Sequence, residues 1–284
     1  MNRSITAVRT VPDLRNRVGA WREAGRSIAL VPTMGALHEG HLSLIALAKE
    51  KADEVVVSIF LNPLQFGPRE DLARYPRDEA GDLAKLAGAA ADLAYVPSAA
   101  EMYPPGFSTT VDVSDISEDL CGASRPNHFN GVATVVAKLL MQCDPDLAVF
   151  GEKDYQQLLV IRRMVRDLDI PVEILGGPIA READGLALST RNAYLSPEER
   201  KKAPILFETI RAVAADLEKG RGADDAALAG RFKLEAAGFR VDYVAVRDPD
   251  TLRPLNGPVR RARVLCAVHL GATRLIDNVP VSAG

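Results

Sequence analysis

The sequence predicts an α/β fold, in which a Rossmann-like parallel sheet with helices on both faces is followed by a smaller C-terminal α+β domain. Over the first 178 residues, short apolar runs rich in β-branched residues alternate with longer stretches of helical periodicity. Near-continuous apolar strands separated by helices are typical of a parallel sheet covered on both faces. Beyond Gly176, Gly177 and Pro178 the character changes to a polar loop, alanine-rich helices and then strands. We therefore expect two domains, at residues 1–178 and 179–284.

Each element of the parallel sheet is predicted from its own apolar run. The predicted strands lie at residues 27–31, 54–61, 93–96, 147–150 and 172–175. Helices are expected to begin near residues 41 and 78, and to span about 131–141 and 154–168. In the second domain, helices near 197–219 and 223–238 precede strands at 240–246, 263–270 and 274–277. A glycine turn joins the last two strands, which favours an antiparallel sheet.

Composition favours an ordinary globular protein that acts on small molecules. Of the 284 residues, 47% are hydrophobic and 26% are charged, which is enough for one large core or two modest ones. The net charge of −3 gives no overall attraction to nucleic acid or to an anionic membrane. No segment has the apolar length of a membrane span, and the three scattered cysteines do not make a disulfide framework. We expect a cytoplasmic chain with reduced cysteines, in which Cys143 and Cys266 are buried.

Two histidines, His38 and His41, directly follow the first predicted strand. A buried strand that breaks at a glycine and continues into a helix commonly binds phosphate, because backbone N–H groups point at the ligand. Gly35 and Gly40 permit a close approach of the backbone, and the two imidazoles share one helix face. Packing or capping by the histidines, and metal binding, are the alternatives. Zinc is disfavoured because no cysteine or carboxylate cluster accompanies them.

Polar side chains follow two further predicted strands. Asn62 and Gln65 come after the second strand, and neutral amides there suit the hydroxyl, carboxylate or amine groups of a small polar substrate. After the fourth strand, Lys153 is able to meet phosphate, Asp154 is a natural helix N-cap, and Gln157 is placed to face the cleft. An ordinary polar turn and a capping box with a solvated lysine are the simpler alternatives.

Three further features carry weaker signals. Ser189, Thr190 and Arg191 are able to form an anion-binding loop that closes over nucleotide phosphates, although a loop cap also accounts for them. Asp82 could hold a magnesium ion through water, and a solvated helix carboxylate is the commoner arrangement. His128 could form part of a cleft wall or be a packed histidine.

Taken together, these motifs resemble the pantothenate synthetase family. The matching motifs are Pro32-Thr-Met-Gly-Ala-Leu-His38-Glu-Gly-His41, Asn62-Pro-x-Gln65-Phe, Tyr75-Pro-Arg, His128-Phe-x-Gly-Val, Phe150-Gly-Glu-Lys-Asp-Tyr-Gln-Gln157 and Ser-x-Arg-Asn192. They are collinear over about residues 25–195, with a compatible small C-terminal domain after them. The combination is specific, whereas His-x-Gly-His alone indicates only the wider nucleotidyltransferase superfamily that includes class I aminoacyl-tRNA synthetases.

The resemblance implies ATP-dependent condensation of (R)-pantoate with β-alanine to pantothenate, AMP and pyrophosphate through a pantoyl-adenylate, the last step of pantothenate biosynthesis. It implies ATP as a substrate, Mg²⁺ as a cofactor and a homodimer. By this analogy, the residues that stabilise the transferred phosphoryl charge are His38, His41, Lys153, Ser189 and Arg191. The rest of the ATP site is Pro32, Thr33, Met34, Gly151, Asp154, Leu188 and Thr190. The residues expected to bind pantoate and β-alanine are Met34, Asn62, Gln65, Tyr75 and Gln157. Asp82 is the candidate metal ligand.

Several positions depart from the family pattern. Leu188 and Thr190 stand where Met and Ser are usual, and threonine retains the hydroxyl. Asn127 replaces a common glycine, which asparagine tolerates in a left-handed conformation. Gly81 removes a carboxylate often present beside Asp82, which weakens the metal assignment. Two other functions stay open on the residues alone: another His-x-Gly-His adenylyltransferase that releases the adenylylated product, and a nucleotide-binding module without turnover.

Overall fold

The computed structural model describes residues 4–68, 70–255 and 259–282. The strands are β1 (Thr6–Val8), β2 (Ile28–Thr33), β3 (Glu54–Ile59), β4 (Leu93–Tyr95), β5 (Leu147–Gly151), β6 (Glu173–Gly177), β7 (Arg240–Arg247), β8 (Arg261–Leu270) and β9 (Thr273–Ser282). The helices are α1 (Val11–Glu23), α2 (Glu39–Lys51), α3 (Glu79–Gly88), α4 (Ala99–Met102), α5 (Cys121–Ser124), α6 (His128–Cys143), α7 (Tyr155–Asp167), α8 (Pro197–Lys202), α9 (Ile205–Glu218) and α10 (Ala223–Ala236).

Strands β1 to β6 form one parallel sheet in the order β1-β4-β3-β2-β5-β6. The order reverses between β2 and β5, where Ala29 pairs with Leu147. At such a reversal the connections leave toward opposite sides and open a crevice beyond the carboxyl ends of the strands. The segments after β2 and β5 therefore face each other across the crevice.

The second sheet contains β7, β8 and β9 in antiparallel order. Helices α9 and α10 pack on one of its faces around a hydrophobic cluster that includes Leu206, Ile210 and Val264. The predicted Rossmann-like sheet and smaller C-terminal α+β unit are thus confirmed. The expected boundary near residue 178 falls just after β6 and stays a prediction.

Three local predictions were wrong. Gly176 and Gly177 belong to β6 rather than to a loop. A Cβ on Gly177 would lie 2.2 Å from Leu44 Cδ2, so a glycine at this position allows the strand to pack closely against α2. The helix expected at 197–219 is divided into α8 and α9 at Pro204, which has no N–H to donate. The strand β1 and the helix α1 were also not predicted.

Two expectations about burial and backbone are confirmed, namely the burial of Cys143 and Cys266 and the left-handed Asn127. Cys121, Cys143 and Cys266 are all buried free thiols. Asn127 takes the left-handed conformation, with φ of 63°. Among the described residues, no helix combines the length and the apolar character that a membrane crossing requires.

Helix α6 packs directly on the turn that carries Asn62 and Gln65. A Cβ on Gly131 would lie 2.3 Å from the carbonyl oxygen of Leu64 and 2.7 Å from the backbone nitrogen of Gln65. Both atoms belong to the backbone, so neither moves aside without moving the turn. Glycine at position 131 is therefore the condition for this close approach.

We predict opposite effects for alanine at two helical glycines. Gly131→Ala should lower the free energy of unfolding by about 1–3 kcal/mol through overpacking. Gly19→Ala, in α1 with nothing within 4 Å of its Cβ position, should raise it by about 0.5–1 kcal/mol. Urea denaturation of both variants measures the difference, and equal stabilisation by the two alanines would contradict the packing described.

Candidate active site

The turn from β2 into α2 is closed by reciprocal hydrogen bonds between two imidazoles and the backbone. His38 is the N-cap of α2, and its Nδ1 accepts from the backbone N–H of Gly40 at 3.1 Å. The Nδ1 of His41 accepts from the backbone N–H of His38 at 3.2 Å. The rings lie 4.1 Å apart, and a Cβ on Gly40 would lie 2.9 Å from His38 Cε1. Because both Nδ1 atoms accept, the proton of each neutral ring is on Nε2.

Both histidines are neutral at physiological pH. Burial, and then the charges of Lys153 and Lys85, lower the pKa of His38 to about 4. Burial, the neighbouring His38 and Lys153 lower the pKa of His41 to about 3. The two histidines therefore cap the helix, as the simpler alternative predicted. This capping uses only their Nδ1 atoms. Each ring keeps an Nε2–H donor, and both rings line the cavity described below.

Asp82 holds the loop before His38 by hydrogen bonds to its backbone. Its two carboxylate oxygens accept from the backbone N–H groups of Ala36 at 2.8 Å and Leu37 at 2.7 Å. The residue is only 2% exposed, and Lys85 Nζ donates to the carbonyl oxygen of Leu37 at 2.7 Å. The metal role of Asp82 stays a prediction, and this buried carboxylate already accepts two backbone N–H groups of the loop. It is a positioning residue for the histidine turn.

The amides after β3 are oriented by a chain of hydrogen bonds. Tyr103 donates to Asn62 Oδ1 at 2.7 Å, and Asn62 Nδ2 donates to Gln65 Oε1 at 2.9 Å and to the carbonyl oxygen of Gly131 at 3.0 Å. Gln65 Nε2 in turn contacts Met34 Sδ at 3.2 Å. Asn62 is 1% exposed and its polar atoms bind protein groups. Asn62 thus orients Gln65, and its place on the side for pantoate and β-alanine stays a prediction.

His128 lies behind Gln65 and has the opposite tautomer from the histidine pair. Its Nδ1–H donates to the carbonyl oxygen of Gln65 at 2.8 Å, and its Nε2 accepts from Arg125 Nη1 at 2.9 Å. Burial and the charge of Arg125 lower its pKa to about 4. Arg125 also forms a bidentate pair with Glu70, with distances of 2.8 and 2.6 Å. His128 is therefore a packed, bonded histidine that supports the wall.

The segment after β5 brings a cation to the facing side of the crevice. Lys153 lies in a single 3-10 turn, Glu152–Asp154, that links β5 to α7. Its Nζ is 3.6 Å from Asp154 Oδ2. Burial raises the pKa of Asp154, but Lys153 and Arg191 outweigh it and lower that pKa below the usual range. Asp154 occupies the N-cap position of α7 without a side-chain capping bond, and Gln157 lies less than one turn further on.

The Ser189–Arg191 loop, which follows β6 in the chain, contacts the turn that precedes His38. Ser189 Oγ accepts from the backbone N–H of Arg191 at 3.3 Å, and Thr190 Oγ1 donates to the carbonyl oxygen of Ala36 at 3.3 Å. Arg191 forms a bidentate pair with Asp71, at 2.8 and 2.9 Å. The Thr190 hydroxyl thus ties this loop to the turn that precedes His38.

These segments enclose one cavity of about 220 Å³. Every predicted ATP or substrate residue is among those that line it, and Asp82 is not; these predicted residues are Pro32, Thr33, Met34, His38, His41, Asn62, Gln65, Tyr75, Gly151, Lys153, Asp154, Gln157, Leu188, Ser189, Thr190 and Arg191. A neighbouring cavity of about 880 Å³ shares Lys153, Asp154 and Arg191 and extends toward the small sheet. The pKa of Tyr75 is raised, because the effect of burial exceeds the opposing effects of the Thr190 hydroxyl and of the Arg191 charge.

Two carboxylates that hold arginines of the site were not predicted from the sequence. Glu70 and Asp71 are neighbours in the chain and pair with Arg125 and Arg191 respectively. Neither follows a predicted strand, and the distance of 120 residues between Asp71 and Arg191 gives no local pattern. The available signal is the acidic pair itself, which stands shortly before Tyr75.

A family model described as Pantoate-beta-alanine ligase matches residues 6–280. The chain belongs to the pantoate-β-alanine ligase family. A pantothenate synthetase from Rhodospirillum rubrum is 58% identical, over 98% of this chain and 100% of that protein. One from Caulobacter vibrioides is 57% identical, over 96% of this chain and 98% of that protein.

Solved structures of the family share the whole fold. The crystal structure of pantothenate synthetase from Thermus thermophilus has a TM-score of 0.93 and 49% identity, and covers 98% of this chain and 100% of its own. Pantoate-beta-alanine ligase from Francisella tularensis, complexed with beta-gamma ATP and beta-alanine, has a TM-score of 0.83 and 33% identity, with 97% of both chains covered. The family likeness therefore extends over the parallel sheet and the small C-terminal sheet alike.

The histidine tautomers give a direct spectroscopic prediction. In ¹⁵N imidazole spectra of the free protein, His38 and His41 should show the Nε2–H form and His128 the Nδ1–H form. Because burial lowers all three pKa values, none of the three should titrate between pH 8 and about pH 5, where an ordinary histidine becomes protonated. Protonation of His38 or His41 near pH 6.5 would contradict the capping arrangement.

Proposed function

We propose that this chain condenses (R)-pantoate with β-alanine to give pantothenate, with ATP converted to AMP and pyrophosphate, through a pantoyl-adenylate. The single observation that supports this most directly is the 220 Å³ cavity. On one side it carries donors suited to phosphate, and on the other it carries oriented amides suited to a small hydroxy acid. Family membership supports the reaction type, and the Francisella tularensis complex supports ATP and β-alanine as ligands of that relative.

In the first step, a carboxylate oxygen of pantoate attacks the α-phosphorus of ATP and pyrophosphate leaves. Negative charge grows on the phosphoryl oxygens and on the leaving group, so catalysis depends on donors fixed in advance. We assign this work to the Nε2–H groups of His38 and His41, to Lys153, and to the Ser189–Arg191 loop. Neutral imidazoles donate without first taking up a proton.

Gln65 and Gln157 hold the hydroxyl and carboxylate groups of pantoate in this proposal, with Met34 as an apolar wall. Because Asn62 Nδ2 donates to Gln65 Oε1, the Gln65 amide N–H groups point toward Met34 and the cavity. Asn62 therefore sets the donor direction of Gln65. Tyr75 and the neighbouring larger cavity are assigned to the β-alanine side.

In the second step, the β-alanine amine attacks the acyl carbon of the adenylate. A C–N bond forms, the amine loses a proton, and AMP leaves with the electrons of the broken acyl–oxygen bond. The mixed anhydride is already activated, so alignment contributes more than acid–base assistance. The site must also exclude water, which would hydrolyse the intermediate.

Mg²⁺ enters this proposal with ATP, as part of the substrate. Within residues 4–68, 70–255 and 259–282, no three His, Cys, Asp or Glu side chains are grouped as metal ligands. Glu70 and Asp71 are paired with arginines, and Asp82 is committed to backbone N–H groups. Since Mg²⁺ is commonly held by substrate phosphates and water, we assign no side chain of this protein to it.

The organisation of the chain completes the proposal. Residues 1–178 bind ATP and pantoate, and residues 179–284 form a lid domain that supplies Ser189, Thr190 and Arg191. Family resemblance supports a homodimer in the cytoplasm. The hydrogen bond from Thr190 to Ala36 supports the lid assignment, because it joins the two parts at the phosphate side.

The substrate assignment is tested by exchange of labelled pyrophosphate into ATP. Pantoate should support exchange, and addition of β-alanine should then yield AMP and an amide in equal amounts. Lactate and free β-alanine without pantoate are the controls. Absence of pantoate-dependent exchange would contradict the assignment, and accumulation of a released adenylylated product would indicate a different adenylyltransferase.

His41→Asn separates catalysis from capping. The asparagine Oδ1 can replace Nδ1 as the acceptor for the His38 N–H, but the Nε2–H donor is lost. We expect unchanged thermal stability and an adenylation rate lower by about 10²-fold or more. Glu50→Gln, at the exposed far end of the same helix α2, is the control and should retain the rate. Full activity of His41→Asn would contradict the catalytic role and would show that His41 only caps the helix.

A further inference from the structure

Two neighbouring residues of β9 contact both segments that carry the proposed phosphate-binding cations. Asp277 and Asn278 are 3% and 2% exposed. Asn278 Nδ2 donates to the carbonyl oxygen of Glu152 at 2.9 Å and to that of Lys153 at 3.0 Å. The small sheet therefore binds the backbone of the Lys153 turn.

This contact matters because the turn has no cap of its own. Neither the 3-10 turn Glu152–Asp154 nor the start of α7 has a side-chain capping hydrogen bond. Arg263 reinforces Asn278, since its Nε donates to Asn278 Oδ1 at 2.7 Å and its Nη2 to Glu152 Oε2 at 3.0 Å. The Arg263 guanidinium also lies 4.0 Å from the centre of the Tyr155 ring. With Oδ1 engaged by Arg263, the amide N–H groups of Asn278 must face the turn.

Asp277 holds the other phosphate-binding segment. Its carboxylate forms a bidentate pair with Arg181, at 2.6 and 2.8 Å. Arg181 also donates to the carbonyl oxygen of Gly185 at 3.0 Å and forms a β-bridge with Ala187. This short hairpin leads directly into Leu188 and the Ser189–Arg191 loop. Asp277 thus anchors the base of the loop that bears Arg191.

We infer that the Asp277–Asn278 step of β9 sets the distance between Lys153 and the Ser189–Arg191 loop. Lysine is a point charge on a flexible stem, so the place of its ammonium depends on a fixed backbone. An error of about 1 Å in such a group can cost about 10²-fold in rate. Asn278 is a positioning residue that acts through Lys153, and this inference rests on the proposed role of Lys153 in adenylation.

Asn278→Asp tests the inference with almost no change of shape. It removes the two N–H donors and turns a carboxylate toward two carbonyl oxygens, while the acceptor for Arg263 stays. We expect kcat for pantoate-dependent pyrophosphate exchange to fall by about 10-fold or more, and we expect KM for β-alanine, measured in the complete reaction, to change little. Asn278→Ser, which keeps at most one donor, provides the same test if the aspartate variant does not fold.

A double-mutant cycle distinguishes positioning from general support of the fold. In a Lys153→Ala background, Asn278→Asp should change the exchange rate by less than about 2-fold, because coupled residues are not additive. Val279→Ala, the next residue of β9 and part of the apolar core, is the matched destabilised control and should keep kcat.

The outcomes separate the two claims. A full additional loss from Asn278→Asp in the Lys153→Ala background would overturn the positioning role of Asn278 and leave the proposed function intact. Unchanged exchange in Lys153→Ala alone would overturn both the role of Lys153 and the inference that rests on it. Loss of kcat in Val279→Ala equal to that in Asn278→Asp would also overturn the inference, because destabilisation alone would then account for it.

Discussion

The reciprocal capping bonds between His38, His41 and the start of α2 are the constraint on which the rest of the site depends. Each Nδ1 accepts a backbone N–H, so protonation at that atom would break the cap. Neutrality, ring orientation and the outward direction of Nε2–H therefore follow from one arrangement. Asp82 fixes the loop before the cap through two further backbone N–H groups. The phosphate-binding turn is thus built by hydrogen bonds that exist before a nucleotide arrives.

Around this turn, three cations are each paired with a carboxylate. Arg125 pairs with Glu70, Arg191 with Asp71, and Lys153 lies beside Asp154. Pairing limits the desolvation cost of placing several positive charges in one partly buried crevice. It also holds the planar guanidinium groups in defined orientations. An incoming triphosphate joins a charge network whose geometry is already set, while the neutral histidines add donors without adding charge.

Local patterns predicted most of the fold, and the residues predicted for ATP and substrate all line the cavity, but the apolar wall that α6 contributes to it was not predicted. The strand–turn–helix segments around His38, Asn62 and Lys153 each carry their signal within a few residues, and the parallel sheet brings their ends together. Helix α1 was overlooked although Leu14, Val18 and Trp21 are buried at helical spacing. Gly176 and Gly177 were misread because a glycine pair that admits a neighbouring helix resembles a loop in sequence.

The positioning residues could not be predicted, because their partners are remote in the chain: Asn278 lies 125 residues beyond Lys153, and Asp277 lies 96 residues beyond Arg181. Such contacts carry no periodicity, so the sequence indicates the reacting groups better than the groups that hold them.

The central claim is that the histidine pair acts as neutral hydrogen-bond donors, also when a nucleotide is bound. Calorimetric titration of the protein with MgATP at about pH 8, in buffers of different ionisation enthalpy, measures the protons taken up on binding. We predict uptake below about 0.2 proton per nucleotide, because the pKa values of His38 and His41 in the free protein are about 4 and about 3, far below this pH. Uptake of about one proton that His38→Asn abolishes would contradict it.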